Sequence, residues 1–341
     1  MGIKQIAKLA NVSIGTVDRV LHKRTGVSKA TEKKILKIIK ETGYTKNTTA
    51  SRLKLASVKK IKIAILIPEG DNKWSYWKLP KEGISKAVKE LTELGVIANF
   101  YDFSNSKAFV TKSHLIFEQN YDAIVTVPFF GTETKDLLKL AKTRNIPVVF
   151  LDTEVPLDDT AYFIRQNSYN AGMVAGRLLH GLVGDDGQYY IVNLLNEQGI
   201  HENNKQRELG FREFFKKIGQ KAQIRAINHP INDTLKVTKE LETWFRNDQK
   251  KGIFVTNSRA YIIAEILKQY KIENTSVIGF DLNNQNRKYL KSNEINFLIN
   301  QKPKYQGYAA IKSLFNFLTK NDDSELNVDI PVEIIIKENI P

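Results

Sequence analysis

The 341-residue chain contains no cysteine, which excludes disulfides, thiolate metal sites and cysteine nucleophiles together. Long apolar runs are missing too: no stretch reaches the ~18 uninterrupted apolar residues of a membrane span. The opening MGIKQIAKLANVS is amphipathic rather than a basic tip followed by an apolar block. No secretory leader is therefore expected, and a reducing, cytoplasmic setting fits. Catalytic signatures are equally scarce. There is no Walker loop, no G-x-G-x-x-G and no H-E-x-x-H, and the five histidines (His22, His114, His180, His201, His229) lack metal-ligand spacing. Asp185-Asp186-Gly187 reads as a turn with solvated carboxylates. No catalytic residue, metal or cofactor is expected. Apolar residues make up 42% of the chain and aromatics 10%, enough to bury a core and exclude wholesale disorder.

Acidic residues are short in one place. Residues 1–60 carry fifteen Lys and Arg against Asp18, Glu32 and Glu41, so +12 of the net +15 sits there. The remaining 281 residues are close to neutral. A lysine-rich surface kept only for solubility would spread its excess along the chain. A basic head on a neutral body is the electrostatic footprint of a polyanion-binding module.

Within the head, residues 4–10 form a short helix with Ile6, Ala7 and Ala10 inward. Asn11-Val12 makes a tight turn, and Ser13 caps a second helix from about Ile14 to His22 with Val17, Val20 and Leu21 on one face. The small side chains of Ala7 and Ala10 let the two helices cross closely, as a helix-turn-helix requires. A third helix runs from its cap Ser28 to about Thr42, where Gly43 stops it, and its expected buried stripe is Ile35, Leu36, Ile38 and Ile39.

These residues resemble the DNA-binding head of the lactose-repressor (LacI) family of bacterial transcription regulators. The A-x-x-A-x-V-S-x-x-T-V-x-R-V core stands here as Ala7, Ala10, Val12, Ser13, Thr16, Val17, Arg19 and Val20, and Gly43-Tyr44 and Asn47 also match. The resemblance implies that the second helix enters the major groove. Ile14, Gly15 and Arg19 fall at base-reading positions, with Ser13 and Thr16 at phosphates. Two departures matter. Gly15 has no side chain to read a base edge, and Asp18 stands where the family commonly has serine. Asp18 is left to accept from a cytosine amino group, or to pair with Arg19 or His22. Residues 47–60 form a hinge segment, whose 47–56 stretch is too short to be a stable helix alone. The family folds the matching segment on DNA, which implies that Leu53 wedges into a minor-groove step while Asn47 and Arg52 hold phosphates.

From Lys62 onward short β-rich runs alternate with amphipathic helices. Strands are predicted at 61–68, 96–103, 123–128, 147–152, 189–195, 252–257, 276–281 and 332–337. Helical spacing recurs at Ile84–Leu94 and near 170–183, 206–218, 234–247, 259–270 and 305–319. This alternation predicts parallel, doubly wound sheets, and its length predicts two α/β lobes. Asp152, Asn257 and Asp281 end separate strands, where open α/β sheets place a ligand crevice. Taken singly, each is as well explained as a loop cap.

The body resembles the type I periplasmic sugar-binding-protein fold that the LacI family carries as its effector core. The stretches that carry the likeness are IPVVFLD (146–152), NSYNAGMVAGRLL (167–179), RELGF (207–211), VTN (255–257), VIGFD (277–281) and NQKP-x-x-x-G (300–307). It implies an all-α helix-turn-helix head (1–46) and a hinge (47–60) before an α/β core of two doubly wound lobes (61–341). Lobe one is expected at about 61–164 and 297–321, lobe two at about 165–296 and 322–341. The resemblance carries Asp152, Arg207, Asn257, Asp281 and Gln301 onto effector-binding positions, a set that suits a polyol. Trp77 and Phe129 are the aromatics best placed to stack on a sugar ring, and Val127 replaces a polar residue found in some sugar binders. The expected protein is a cytoplasmic, homodimeric repressor that binds double-stranded operator DNA under control of a small carbohydrate effector, with no membrane partner.

Overall fold

A computed structural model describes residues 3–21, 24–43, 56, 59–69, 76–153, 161–195, 201–230 and 247–340. The chain divides into two compact units, residues 1–59 and 60–341. In the first, helices α1 (Ile3–Ala10), α2 (Ile14–Leu21) and α3 (Lys29–Thr42) follow their local signals. Asn11 turns the chain at φ 55°, and Val12 N–H donates back to the Ala7 carbonyl at 3.0 Å. Ser13 Oγ accepts from Thr16 N at 3.1 Å, opening α2. Ser28 Oγ caps α3 through Thr31 N at 3.2 Å, and Gly43 at φ 60° closes it. Ile6, Ala7, Ala10, Val17, Val20 and Ile35 form the core, with Ile38 and Ile39 packed on it. Leu36 does not join them: it is 48% exposed. At about 100° per residue, Ile38, Ile35 and Ile39 span one face of the helix, and Leu36 lies about 60° beyond its Ile39 edge.

The second unit holds two six-stranded sheets. The first contains β1 (Ile61–Pro68), β2 (Val96–Phe103), β3 (Ala123–Thr126), β4 (Val148–Asp152), β5 (Ala161–Gln166) and β11 (Val328–Ile330) in the order β11-β5-β4-β3-β1-β2. The second contains β6 (Gln188–Leu195), β7 (Ile224–Pro230), β8 (Lys251–Val255), β9 (Thr275–Phe280), β10 (Phe297–Asn300) and β12 (Glu333–Ile335) in the order β12-β10-β9-β8-β6-β7. Among the described residues only the β10–β12 pair is antiparallel. The central strands β3 and β8 are buried along their whole length, as near-continuous apolar runs in parallel sheets should be. Each sheet reverses its winding beside its first strand, between β1 and β3 and between β6 and β8, where a ligand crevice opens.

The crossover helices are α4 (Lys78–Leu91), α5 (Ser106–Phe117), α6 (Gly131–Thr143), α7 (Ser168–Val183), α8 (Glu202–Lys217), α9 (Ala260–Gln269), α10 (Asn284–Lys291) and α11 (Pro303–Lys320). Strands β5, β7, β10 and β11 and helices α5, α6 and α10 have no counterpart among the expected segments. Of the helix expected at 234–247, all but Asn247 lies outside the described residues. The sheet pairing also moves the expected lobe bounds. Residues 297–300 pair with β9 and belong to the second lobe, and 328–330 pair with β5 and belong to the first. Strands of three or four residues carry too little periodicity to reveal their partners.

The chain therefore passes between lobes three times, after Gln166, Asn300 and Ile330. One side chain ties the three crossings. Gln166 is 2% exposed, and its Nε2 donates to the Asn300 carbonyl at 3.1 Å and the Pro331 carbonyl at 3.2 Å. Two reciprocal glycine contacts set the closest helix packing. A Cβ on Gly172 of α7 would lie 2.0 Å from the Arg207 carbonyl of α8, and one on Gly210 would lie 1.9 Å from the Tyr169 carbonyl. Gly83 and Gly307 do the same between α4 and α11. Gly172→Ala should therefore force the α7–α8 pair apart at a cost of about 1–3 kcal/mol. Thermal melting should show a fall of roughly 3–10 °C; an unchanged midpoint would mean that the helices do not approach this closely.

Candidate functional site

Two sets of residues point outward for chemistry. In the head, Ser13, Ile14, Gly15 and Arg19 are exposed and Thr16 is half-exposed, while Val17 and Val20 of α2 are buried. Ser13 and Thr16 join their hydroxyls at 2.9 Å. A Cβ on Gly15 would touch nothing nearer than Ser13 Oγ at 3.7 Å, so the missing side chain is not enforced by packing. Asp18 pairs with Arg24 at 3.6 Å, a partner the sequence reading did not name. Both groups are well exposed, so the pair adds little stability, but it draws the carboxylate toward a cation of its own head. Asn47, Arg52 and Leu53 lie outside the described residues.

In the body, Asp152, Arg207, Asp281 and Gln301 converge at the carboxyl edges of the two sheets. Asp152 ends β4 and Asp281 follows β9, the strands in corresponding places of the two sheet orders. Both adopt the left-handed region, at φ 67° and 62°. For a residue with a Cβ this conformation costs about 1–2 kcal/mol, and aspartate tolerates it by bonding locally. At Asp281 the backbone N–H donates to the Ile299 carbonyl at 2.9 Å, and Asn286 Nδ2 donates to its carbonyl at 2.9 Å. Its carboxylate accepts from Gln301 N at 3.2 Å and Gln301 Nε2 at 2.7 Å. Gln301 Oε1 accepts in turn from Arg207 Nη2, while Arg207 Nη1 donates to the Thr256 carbonyl at 2.7 Å. The guanidinium carbon lies 3.7 Å from the centre of the Phe280 ring.

Asp152 binds across the lobes. Its Oδ1 accepts from Tyr76 OH at 2.6 Å, within the first lobe. Its Oδ2 accepts from Asn203 Nδ2 at 2.8 Å, and Asn203 belongs to α8 of the second lobe. The same Nδ2 reaches the Asp152 carbonyl at 3.2 Å, and Asp152 N–H donates to Gln306 Oε1 at 3.0 Å. Beside this clasp the Phe129 ring of lobe one meets the His201 ring of lobe two at 4.6 Å and 33°. Trp77 packs edge-on against Phe129 at 5.5 Å.

Burial dominates the electrostatics. It pushes the Asp281 carboxyl up to about 7, although the Arg207 charge and the two Gln301 donors pull it back. Tyr76 is held well above its usual value by burial and then by the charge of Asp152. Burial lowers His201, with Asp152 opposing and Arg259 adding to the effect. Burial also lowers Arg207 and Arg259; the aspartates offset it at Arg207, and Tyr261 offsets it at Arg259.

Six of the seven expected effector residues share this cleft through the contacts above. Asn257 is at the same edge, but its side chain is taken up by backbone: Nδ2 donates to the Leu194 carbonyl at 2.9 Å and Oδ1 accepts from Arg259 N at 3.1 Å. Val127 is fully buried in the first core, and Phe130 packs on Phe103 and Phe109 there. Asn203, His201, Gln306 and Arg259 were not singled out from sequence. Asn203 carried a usable signal, since it lies four residues before Arg207 and so shares its helix face. Gln306 carried another, inside the NQKP-x-x-x-G run.

A basic helix-turn-helix unit and a two-lobed α/β core with polar strand ends facing one cleft define a DNA-binding module joined to a small-molecule-binding one. Comparison with known proteins gives the family. Residues 63–322 match the periplasmic binding protein domain, and residues 2–47 match the bacterial regulatory proteins of the lacI family. The chain belongs to this family, with a lacI-type head and a periplasmic-binding-protein-like core. It is 27% identical over 179 residues to the HTH-type transcriptional repressor PurR of Histophilus somni, a stretch covering 52% of this chain and 51% of that relative, so about half of each is matched. It is 25% identical to the ribose operon repressor of Halalkalibacterium halodurans, covering 98% of this chain and 96% of that one. A crystal structure described as a LacI transcriptional regulator from Bacteroides fragilis superposes with a TM-score of 0.74 and 29% identity, over 82% of this chain and 98% of the other.

The Asp281 environment makes a test independent of any ligand. Its carboxyl is raised in the folded protein, so the unfolded chain ionises first as pH rises, and stability is lost between about pH 4 and pH 7. Asp281→Asn removes that titration. The melting difference between variant and wild type should move in the variant's favour by about 2 kcal/mol from pH 5 to pH 8. A difference independent of pH would contradict the raised, buried carboxyl.

Proposed function

We propose that this chain is a cytoplasmic, homodimeric transcription repressor whose operator affinity is set by a sugar held between its two lobes. The observation that carries the reading is the pairing, in one chain, of an exposed Ile14-Gly15-Arg19 face within a 1–60 segment of net charge +12 and a polar interlobe cleft. Two heads on one dimer would read a roughly palindromic operator, with Arg19 and Ile14 at base edges and Ser13 and Thr16 at phosphates. Asn47, Arg52 and Leu53 take the hinge role in this reading. The repressor names of its relatives support the regulatory half, and the carboxylates, amides and aromatic rings of the cleft suit vicinal hydroxyls and a sugar face. An effector that bridges Asp152 and Asp281 would favour one lobe arrangement by its differential affinity, and through linkage the DNA would change effector affinity equally.

The experiment is fluorescence anisotropy on the DNA upstream of the gene, with random DNA of equal length beside it. Arg19→Ala should weaken the specific complex by about 1–3 kcal/mol, roughly five- to 150-fold, and the random complex far less. Equal loss on both would contradict a base contact. The logarithm of affinity should also fall steeply and linearly with the logarithm of salt concentration; a flat line would contradict binding through the basic head.

A further inference from the structure

The hydrogen bonds of the cleft leave an imbalance. Its principal acceptors are occupied: Asp152 by Tyr76 and Asn203, Asp281 by the two Gln301 donors, and Gln301 Oε1 by Arg207. Its donors are not. Arg207 is 4% exposed, and its Nε has no hydrogen-bond partner among the described residues. The Arg259 guanidinium is half-buried and meets no carboxylate or hydrogen-bond acceptor among the described residues. Arg259 leaves the end of β8 on a turn that Asn257 fixes at 3.1 Å, and it opens the ten-residue helix α9, whose amino end adds positive potential. Its charge is felt at His201, whose ring closes on Phe129 from the other lobe. A cation withdrawn from water without a counter-charge is costly unless a bound anion supplies one.

We propose that the effector is an acidic carbohydrate, whose carboxylate or phosphate is received by Arg259 and whose polyol part lies between Asp152 and Asp281. The proposal rests on the sugar reading given above and narrows it. Arg259 becomes the residue that sets specificity, separating an acid from its neutral parent. Arg207 Nε supplies a second donor deeper in the cleft. A guanidinium suits either anion, because its fork pairs with carboxylate and phosphate oxygens alike.

The test is calorimetric titration of the full chain with matched pairs: hexuronates against their hexoses, aldonates against their alditols, and sugar phosphates against the parent sugars. One acid should bind at least tenfold tighter than its parent, and the carboxylate and phosphate arms identify which anion is preferred. Arg259→Gln should erase that ratio while leaving the parent's affinity within about twofold. Arg259→Lys, which keeps the charge on a compact head, should retain part of it and guards against a folding defect in the first variant. Melting curves should match wild type for at least one of the two. A neutral sugar that binds and alters operator affinity, with its acid no tighter, overturns the acidic effector and leaves the sugar reading standing. An acid preference unchanged in Arg259→Gln overturns the role of Arg259. Operator binding with no response to any member of the panel overturns both.

Discussion

The carboxylate of Asp152 is where the two lobes meet. Tyr76 holds one oxygen from its own lobe and Asn203 holds the other from the opposite lobe, while Gln306 fixes the backbone beneath. A charge-assisted hydrogen bond in a partly dry cleft is stronger than a neutral one, and each of its partners is expensive to leave unpaired. The lobes are separate sheets joined by three crossings tied at Gln166, so a bond at the cleft lip acts with leverage on their relative position. Any effector that takes up the Asp152 carboxylate competes with Asn203, and in doing so changes what holds the lobes together.

The two strained aspartates explain why this arrangement is specific. Asp152 and Asp281 occupy corresponding strand ends of sheets wound in the same order, and both pay for a left-handed backbone. At Asp152 one amide, that of Asn203, reaches both the backbone carbonyl and the carboxylate, whereas at Asp281 Ile299 and Asn286 hold the backbone and Gln301 holds the carboxylate. Their surroundings then diverge. Asp281 is almost fully buried beside Arg207 and Gln301, and burial raises its carboxyl to about 7. Asp152 stays at the lip and reaches across. One lobe thus offers a deep network and the other a movable contact.

Much of this was legible in the sequence, for physical reasons that differ between parts. The head announces itself through charge and caps: Ser13, Ser28 and Gly43 act within three or four residues, so local chemistry suffices. The central strands are legible because both of their faces are covered, which makes 63–67 and 148–151 apolar throughout. Edge elements are not. β7 and β11 carry exposed polar positions, and β11 is three residues long, so which sheet each joins is decided by long-range pairing. The cleft divides the same way. Asp152 and Asp281 are marked by ending apolar runs, whereas the Asn203–Asp152 bond joins residues from different lobes and no spacing encodes it.

The most direct test of that bond uses the absence of cysteine. Lys139→Cys in α6 and Gln269→Cys in α9 place one exposed spin label on each lobe. Pulsed dipolar spectroscopy, with labelled chains diluted in unlabelled protein, then reads the distance between lobes. In Asn203→Asp the donor becomes a second carboxylate facing Asp152, so like charges replace the hydrogen bond. The expected result is a narrow distance in the otherwise wild-type, ligand-free protein and a longer, broader one in Asn203→Asp, with the melting temperature of each lobe's core largely preserved. Identical distance distributions in the two proteins would contradict the claim that the Asp152–Asn203 contact holds the lobes together.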